Sequence, residues 1–220
     1  MWVKVSNKCA RLKWNGCQED YIRNVCNGRC CKGHKAGDGW LVITTLPCER
    51  ARLRGLGVTL RNGGIAPNPA TGICPLQSTE TGLCTEHLSN KKPLSCWLSP
   101  WKLSPQGVLI VRNRFKLFKC YREEPRLPTY VAYRASLEHA FGMGVTGELC
   151  KYLGSGGLRD ILLQVSRAQF HSLLMTEILK RSLAGKEPDI RYQNLLRNLG
   201  HRGWENVIKG KEKCLQILGY

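Results

Sequence analysis

At 220 residues, 42% of them hydrophobic, the chain is long enough to bury a core and too apolar for disorder. The 34 Lys and Arg against 16 Asp and Glu leave a formal charge of +18, which favours polyanions such as RNA, DNA or an anionic surface but establishes steering and solubility rather than a function. No apolar run approaches the roughly 18 residues of a membrane-spanning helix and Met1 to Cys9 carry no signal-peptide pattern, so a cytoplasmic setting is expected, where twelve cysteines suit metal ligation better than disulfides.

In chain order, a basic stretch from Met1 to Tyr21 carries Cys9 and Cys17 and leads into Cys26-Asn27-Gly28-Arg29-Cys30-Cys31. Gly28 supplies a sharp turn, because a residue without Cβ adopts positive φ freely. Adjacent cysteines cannot easily bridge each other, since a disulfide needs a specific Cα separation, so their adjacency argues for ligation. Trp40 to Thr45 is rich in β-branched residues and reads as a strand. Thr45 is placed to cap a short helix with Pro47 in its first turn, an apolar stripe of Leu46, Leu53 and Leu56, and Cys48 as a small buried side chain. Arg61 to Gly72, with Asn62-Gly63-Gly64 and Pro67-Asn68-Pro69, is a turn-rich loop that delivers Cys74, then Cys84 after a turn at Thr81-Gly82, then Cys96. Val108-Leu109-Ile110-Val111 and Phe115-Lys116-Leu117-Phe118 flank Asn113-Arg114 and suggest a β-hairpin closed by Cys120.

The pattern changes after Pro125 and Pro128. A helical segment around Tyr133, Leu137 and Phe141 is followed by a short piece to Leu153, a long helix from Leu158 to Ala184, another from Pro188 to Gly200, and a last one from Trp204 to Leu218. Cys150 and Cys214 are expected inside this helical unit. The expected fold class is therefore α+β: a small irregular cysteine-rich metal-binding domain with a short hairpin over residues 1–125, then an all-helical domain over 129–220.

Thiolate sulfur selects zinc, copper(I) or iron–sulfur clusters over magnesium or calcium. Cys26, Cys30, Cys31, Cys74, Cys84 and Cys96 are the expected ligands, and Cys17 and Cys120 raise the set to eight, enough for one site with spares or two sites. The spacing is not that of a zinc finger or of a bacterial ferredoxin run. The order Gly28-Arg29-Cys30-Cys31, Cys74-Pro75-Leu76, Gly82-Leu83-Cys84 with His87, and Pro93-Leu94-Ser95-Cys96 with Pro100 resembles the YkgJ-type cysteine-cluster family of zinc- or iron-chelating proteins. The resemblance covers about Cys17 to Cys120 and implies a thiolate-held iron–sulfur cluster or zinc. The match departs from the family at several points: Asn27 stands where the family has cysteine, the preceding cysteine is absent unless Cys17 substitutes, Lys92 replaces Arg, and Trp97 replaces the Arg after the last cysteine. Some relatives in that family, flagellin lysine methylases, join a similar cluster to protein modification, and no residue here carries that activity across.

His87 stands where the family has Tyr or His, which suits a supporting role beside the thiolates. His34 lies in a basic loop, and His139, His171 and His201 are on expected helices and read as structural. No catalytic constellation stands out, so whether the chain is an enzyme stays open. Basic residues gather beside the cysteines (Arg23, Arg29, Lys32, Lys35, Arg50, Arg52, Arg54) and in the expected hairpin (Arg112, Arg114, Lys116, Lys119). A competing reading is accordingly a zinc-stabilised module that binds nucleic acid through this charge. A disulfide-stapled secreted protein is a third.

Overall fold

Alternation along Trp2-Val3-Lys4-Val5 puts two valines on one face of a strand, and both are fully buried while Trp2 and Lys4 face out. The structure is a computed structural model that describes residues 1–15, 22–26, 28, 31, 35–36, 39–40, 42–87, 89, 91–122, 127–184, 187 and 189–200. Its strands are β1 (Trp2–Val5), β2 (Lys13–Trp14), β3 (Lys35–Ala36), β4 (Gly39–Trp40), β5 (Leu60–Arg61), β6 (Gly64–Ile65), β7 (Trp101–Leu103), β8 (Val108–Val111), β9 (Leu127–Pro128) and β10 (Ile161–Gln164). The chain is a mixed α/β protein with small sheets. The largest has the order β10-β1-β8-β7, with β1 antiparallel to β10 and parallel to β8. Val3 faces Leu163 across one pair and Val5 faces Leu109 across the other.

The buried face of this sheet packs on the Arg167–Leu183 helix, through Phe170, Leu173, Leu174 and Ile178, and on the Met143–Gly154 helix, through Leu149 and Leu153, within one continuous core. Ser166 starts the longer helix with a capping box: its hydroxyl accepts from the Gln169 N–H at 3.1 Å and the Gln169 side chain accepts from the Ser166 N–H at 2.9 Å. Trp14 is fully buried among Phe115, Tyr121 and Tyr133, with ring centroids 4.7 to 6.5 Å away. Arg112, just past β8, forms a buried ion pair with Glu177 of the long helix. A second, smaller cluster joins Leu53, Val58, Ile65, Cys74 and Leu76.

Several expectations change. The break expected at Pro125 and Pro128 does not separate two cores, because the main core draws on residues from Val3 to Leu199. Pro128 itself lies in β9, paired with Lys13 of β2, and the Thr129 N–H and hydroxyl both donate to the Leu12 carbonyl at 2.7 Å. The second half is not all-helical: Ile161–Gln164, expected inside the long helix, is an edge strand, since β1 offers it a backbone ladder that no local helix can replace. The hairpin exists one strand earlier, β7 against β8 around Ser104 to Gly107, and residues 113–117 form a 3₁₀ turn that drops Phe115 into the core. Among the described residues of the strand expected over 40–45, Trp40 lies in β4 and Ile43 forms an isolated bridge to Ile65.

The helix expected after it is present as a 3₁₀ turn, Pro47–Glu49, running into Arg50–Gly55. Its start is capped by Glu49 rather than Thr45, whose hydroxyl is spent on the Gly63 carbonyl at 2.6 Å. Leu56 and Cys48 are exposed rather than buried. The helices Arg134–Phe141, Met143–Gly154 and Ile190–Asn198 agree with the pattern, and the expected helix from Trp204 lies outside the described residues. Among the described residues no helix is long and apolar enough to cross a membrane.

Candidate metal centre

Gly28 adopts φ +58°, and the Cys31 N–H donates to its carbonyl at 2.7 Å, forming the turn that presents Cys31. A Cβ at this position would collide with the Gln77 side chain and the Gly82 carbonyl, so glycine also allows the close approach of the second cysteine loop. In that loop the Gln77 N–H closes a turn on the Cys74 carbonyl at 2.9 Å, and Gln77 bridges to Cys84 across a narrow antiparallel step. Gly82, at φ +69°, makes the reversal, and the buried Gln77 amide donates to its carbonyl at 2.9 Å. Cys74 and Cys84 therefore arrive side by side.

Cys96 comes from the one-turn helix Leu94–Trp97. So short a helix needs outside support, and Glu49 provides it: one carboxylate oxygen accepts from Leu94 N–H at 2.7 Å, the other from Leu46 N–H at 2.6 Å. Burial pushes the Glu49 carboxyl up from its ordinary value, against the pull of those two N–H donors. Ser95 donates to the Thr44 carbonyl, and Lys180 reaches the Ser95 carbonyl at 3.4 Å. Cys120 follows the 3₁₀ turn on the short helix Lys119–Arg122, and its carbonyl accepts from Asn15 N–H at 2.8 Å.

Cys31, Cys74, Cys84, Cys96 and Cys120 all line one cavity of about 230 Å³, together with His87. Burial, and then the neighbouring Cys96 and Cys84 sulfurs, push the Cys74 thiol up to about 12; burial pushes Cys96 up to about 11, with Lys92 and Lys180 pulling the other way. The donor chemistry, soft sulfur from four separate chain segments around one hollow, suits a thiophilic metal, and a bound cation would offset the burial, and the smaller mutual repulsion, that keep these thiols protonated. Among the described residues, no group of three or more Cys, His, Asp or Glu side chains is already assembled to hold a metal ion. Of the other expected ligands, Cys26 ends the π-helical turn Ile22–Cys26, and Cys17 and Cys30 lie outside the described residues.

Beside the thiols lies a cluster that sequence reading passed over. The His87 ring stacks on Trp97 with centroids 5.2 Å apart, His139 stacks on Trp97 at 4.7 Å, and the Lys92 ammonium sits 4.2 Å from the Trp97 centroid and 3.3 Å from His87 Nδ1. Burial first, then the Lys92 charge, lower the His87 imidazole and hold His139 down to about 4, so both rings are neutral at physiological pH. His139 had one sequence signal, its helical spacing from Ala135 and Ser136, two small residues that line the cavity. His171 is buried in the long helix, as expected, whereas His34 and His201 lie outside the described residues.

The basic residues do not all face outward. Arg112 pairs with Glu177 in the interior, Arg52 pairs with Glu86 at 3.6 Å, and Arg50 donates to the Gly63 carbonyl at 3.0 Å. Comparison with family models, with curated proteins and with solved structures finds no match for this chain.

Proposed function

We propose that the chain is a thiolate metalloprotein of the YkgJ-type cysteine-cluster kind, holding an iron–sulfur cluster or zinc in an irregular cysteine-rich unit. The observation that carries this reading is the convergence of Cys31, Cys74, Cys84, Cys96 and Cys120 on one cavity. Cys26 and Cys30, next to Cys31 in the chain, and Cys17 complete the candidate ligand set. Thiolate ligation needs a reducing compartment, which suits a cytoplasmic protein. Tetrahedral sulfur serves a structural zinc, while an iron–sulfur cluster adds one-electron chemistry, the route by which such a centre would take part in redox or protein modification.

The reading as a nucleic-acid module stabilised by zinc has less support, since Arg50, Arg52 and Arg112 are spent on contacts inside the fold. Anaerobic purification followed by metal analysis and visible spectroscopy tests the proposal. A brown protein with thiolate-to-iron absorption identifies the cluster; a colourless one with stoichiometric zinc identifies the structural metal. A chain that folds and binds neither metal would sink it.

A further inference from the structure

The thiols line only part of the cavity. Phe115, Phe118, Ala132, Tyr133 and Leu76 form an apolar wall, and in the described lining Lys92 is the one charged side chain. No carboxylate pairs with Lys92 among the described residues; its ammonium meets the His87 ring and the Trp97 face. Trp97 is only 5% exposed, yet its indole N–H is buried without an acceptor among the described residues. A buried donor left unsatisfied is costly, and a cation over the face of the same ring without a counter-charge points to an acceptor that comes from outside the chain. The stacked imidazoles do not fill that role, since both are neutral and neither brings negative charge.

We infer that this cavity binds a small carboxylate with an apolar, ring-sized body, its anionic head held by the Lys92 ammonium and the Trp97 indole N–H, its body against Phe115, Phe118 and Tyr133. Size permits it: an apolar cavity of about 150 Å³ accepts benzene, and this one is about 230 Å³. A preformed hollow with an apolar wall and few polar groups is the usual form of a small-molecule site. The site depends on Lys92, Trp97 and the aromatic wall and does not require that the thiols carry metal, although it would bring the ligand into the same hollow as the thiol cluster.

Isothermal titration calorimetry on the full chain, with phenylacetate as the probe, phenylacetamide as its neutral isostere and acetate as the head alone, tests the inference. Phenylacetate is expected to bind with one-to-one stoichiometry, and the amide and acetate at least about tenfold more weakly. Lys92→Met should weaken phenylacetate about 10- to 100-fold and leave phenylacetamide unchanged, Lys92→Arg should restore most of the loss, and Trp97→Phe should cost less than Lys92→Met. Equal binding of acid and amide, no binding of phenylacetate, or acid binding that survives Lys92→Met in a variant with an unaltered melting transition would overturn it. Metal content measured on each sample keeps the two proposals apart, because a metal-loaded chain that ignores phenylacetate refutes only this one.

Discussion

The two buried clusters are held by different means. The main core closes a four-stranded sheet against two helices, and its residues come from both ends of the chain, so each buried side chain locks distant segments together. Among the described residues the smaller cluster has five buried members, one of them Cys74, and rests on turns: the Asn62-Gly63 reversal between β5 and β6, the Cys74 turn and the Gly82 reversal. The first buries enough apolar side chains to hold together without a cross-link. The second is too small for that, and regions with so little core ordinarily depend on covalent or metal cross-links. The cavity-lining cysteines sit where such a link would act.

The strongest way to break this contrast is to remove a proposed ligand. Cys74→Ser should abolish metal binding and unfold the loop region, because structural thiolate–zinc binding contributes about 10 kcal/mol or more to folding. Hydrogen exchange should then show lost protection from Leu53 to Leu76 and retained protection at Val3, Leu109 and Leu163. Simultaneous loss in both sets would mean that one cooperative unit, not two, spans the chain.

Leu174→Ala acts on the other side of the contrast. The side chain is fully buried, so a loss of about 2–5 kcal/mol is expected from transfer and cavity terms, seen as a lower melting temperature with metal content unchanged. Metal loss in parallel with destabilisation would count against the separation.

Glu49 lies between the two regions: it is buried in the segment leading to Leu53, and it accepts from the main-core residues Leu46 and Leu94. Glu49→Gln leaves one acceptor oxygen for two N–H donors. Destabilisation of about 1–3 kcal/mol is expected by urea titration, with weaker metal retention because the Cys96 helix loses its anchor. A variant as stable as the parent would remove Glu49 from that role.

The smallest effect is a pH dependence at His139. An unfolded imidazole takes its proton near 6.5, while the folded one resists until about 4, so the unfolded state binds more protons in between. Stability from this group is complete above about 6.5 and is lost as pH falls toward 4. With its partial exposure discounted, the loss amounts to about 1–2 kcal/mol. Subtracting the profile of His139→Gln from that of the parent isolates it, and parallel profiles between pH 4 and 7 would refute it.

Legibility in the sequence followed range. Gly28 was readable as a positive-φ turn because only its own backbone demands it, and the Asn62-Gly63 reversal follows the same local rule. The order of Cys31, Cys74, Cys84 and Cys96 pointed to a common site, and the fold brings all four to one cavity. Ser166 and Gln169 carry the capping signal of a helix that begins at Arg167, although the apolar spacing of Leu158, Ile161, Leu162 and Val165 reads as helical through that point. His139 and Lys92 gave no comparable signal, since their meeting at Trp97 joins a helix and a loop distant in sequence.

By itself the sequence determined the turns, the helices Arg134–Phe141, Met143–Gly154 and Ile190–Asn198, and the identity of the soft donors, all properties of residue type and short-range spacing. Only the tertiary structure decided that Ile161–Gln164 is a strand, that β8 pairs with β7 instead of residues 115–118, and that no boundary of the core falls at Pro128. Each of those outcomes depends on a backbone ladder or a buried face supplied from elsewhere in the chain, and hydrogen bonds satisfied across such distances override local preference.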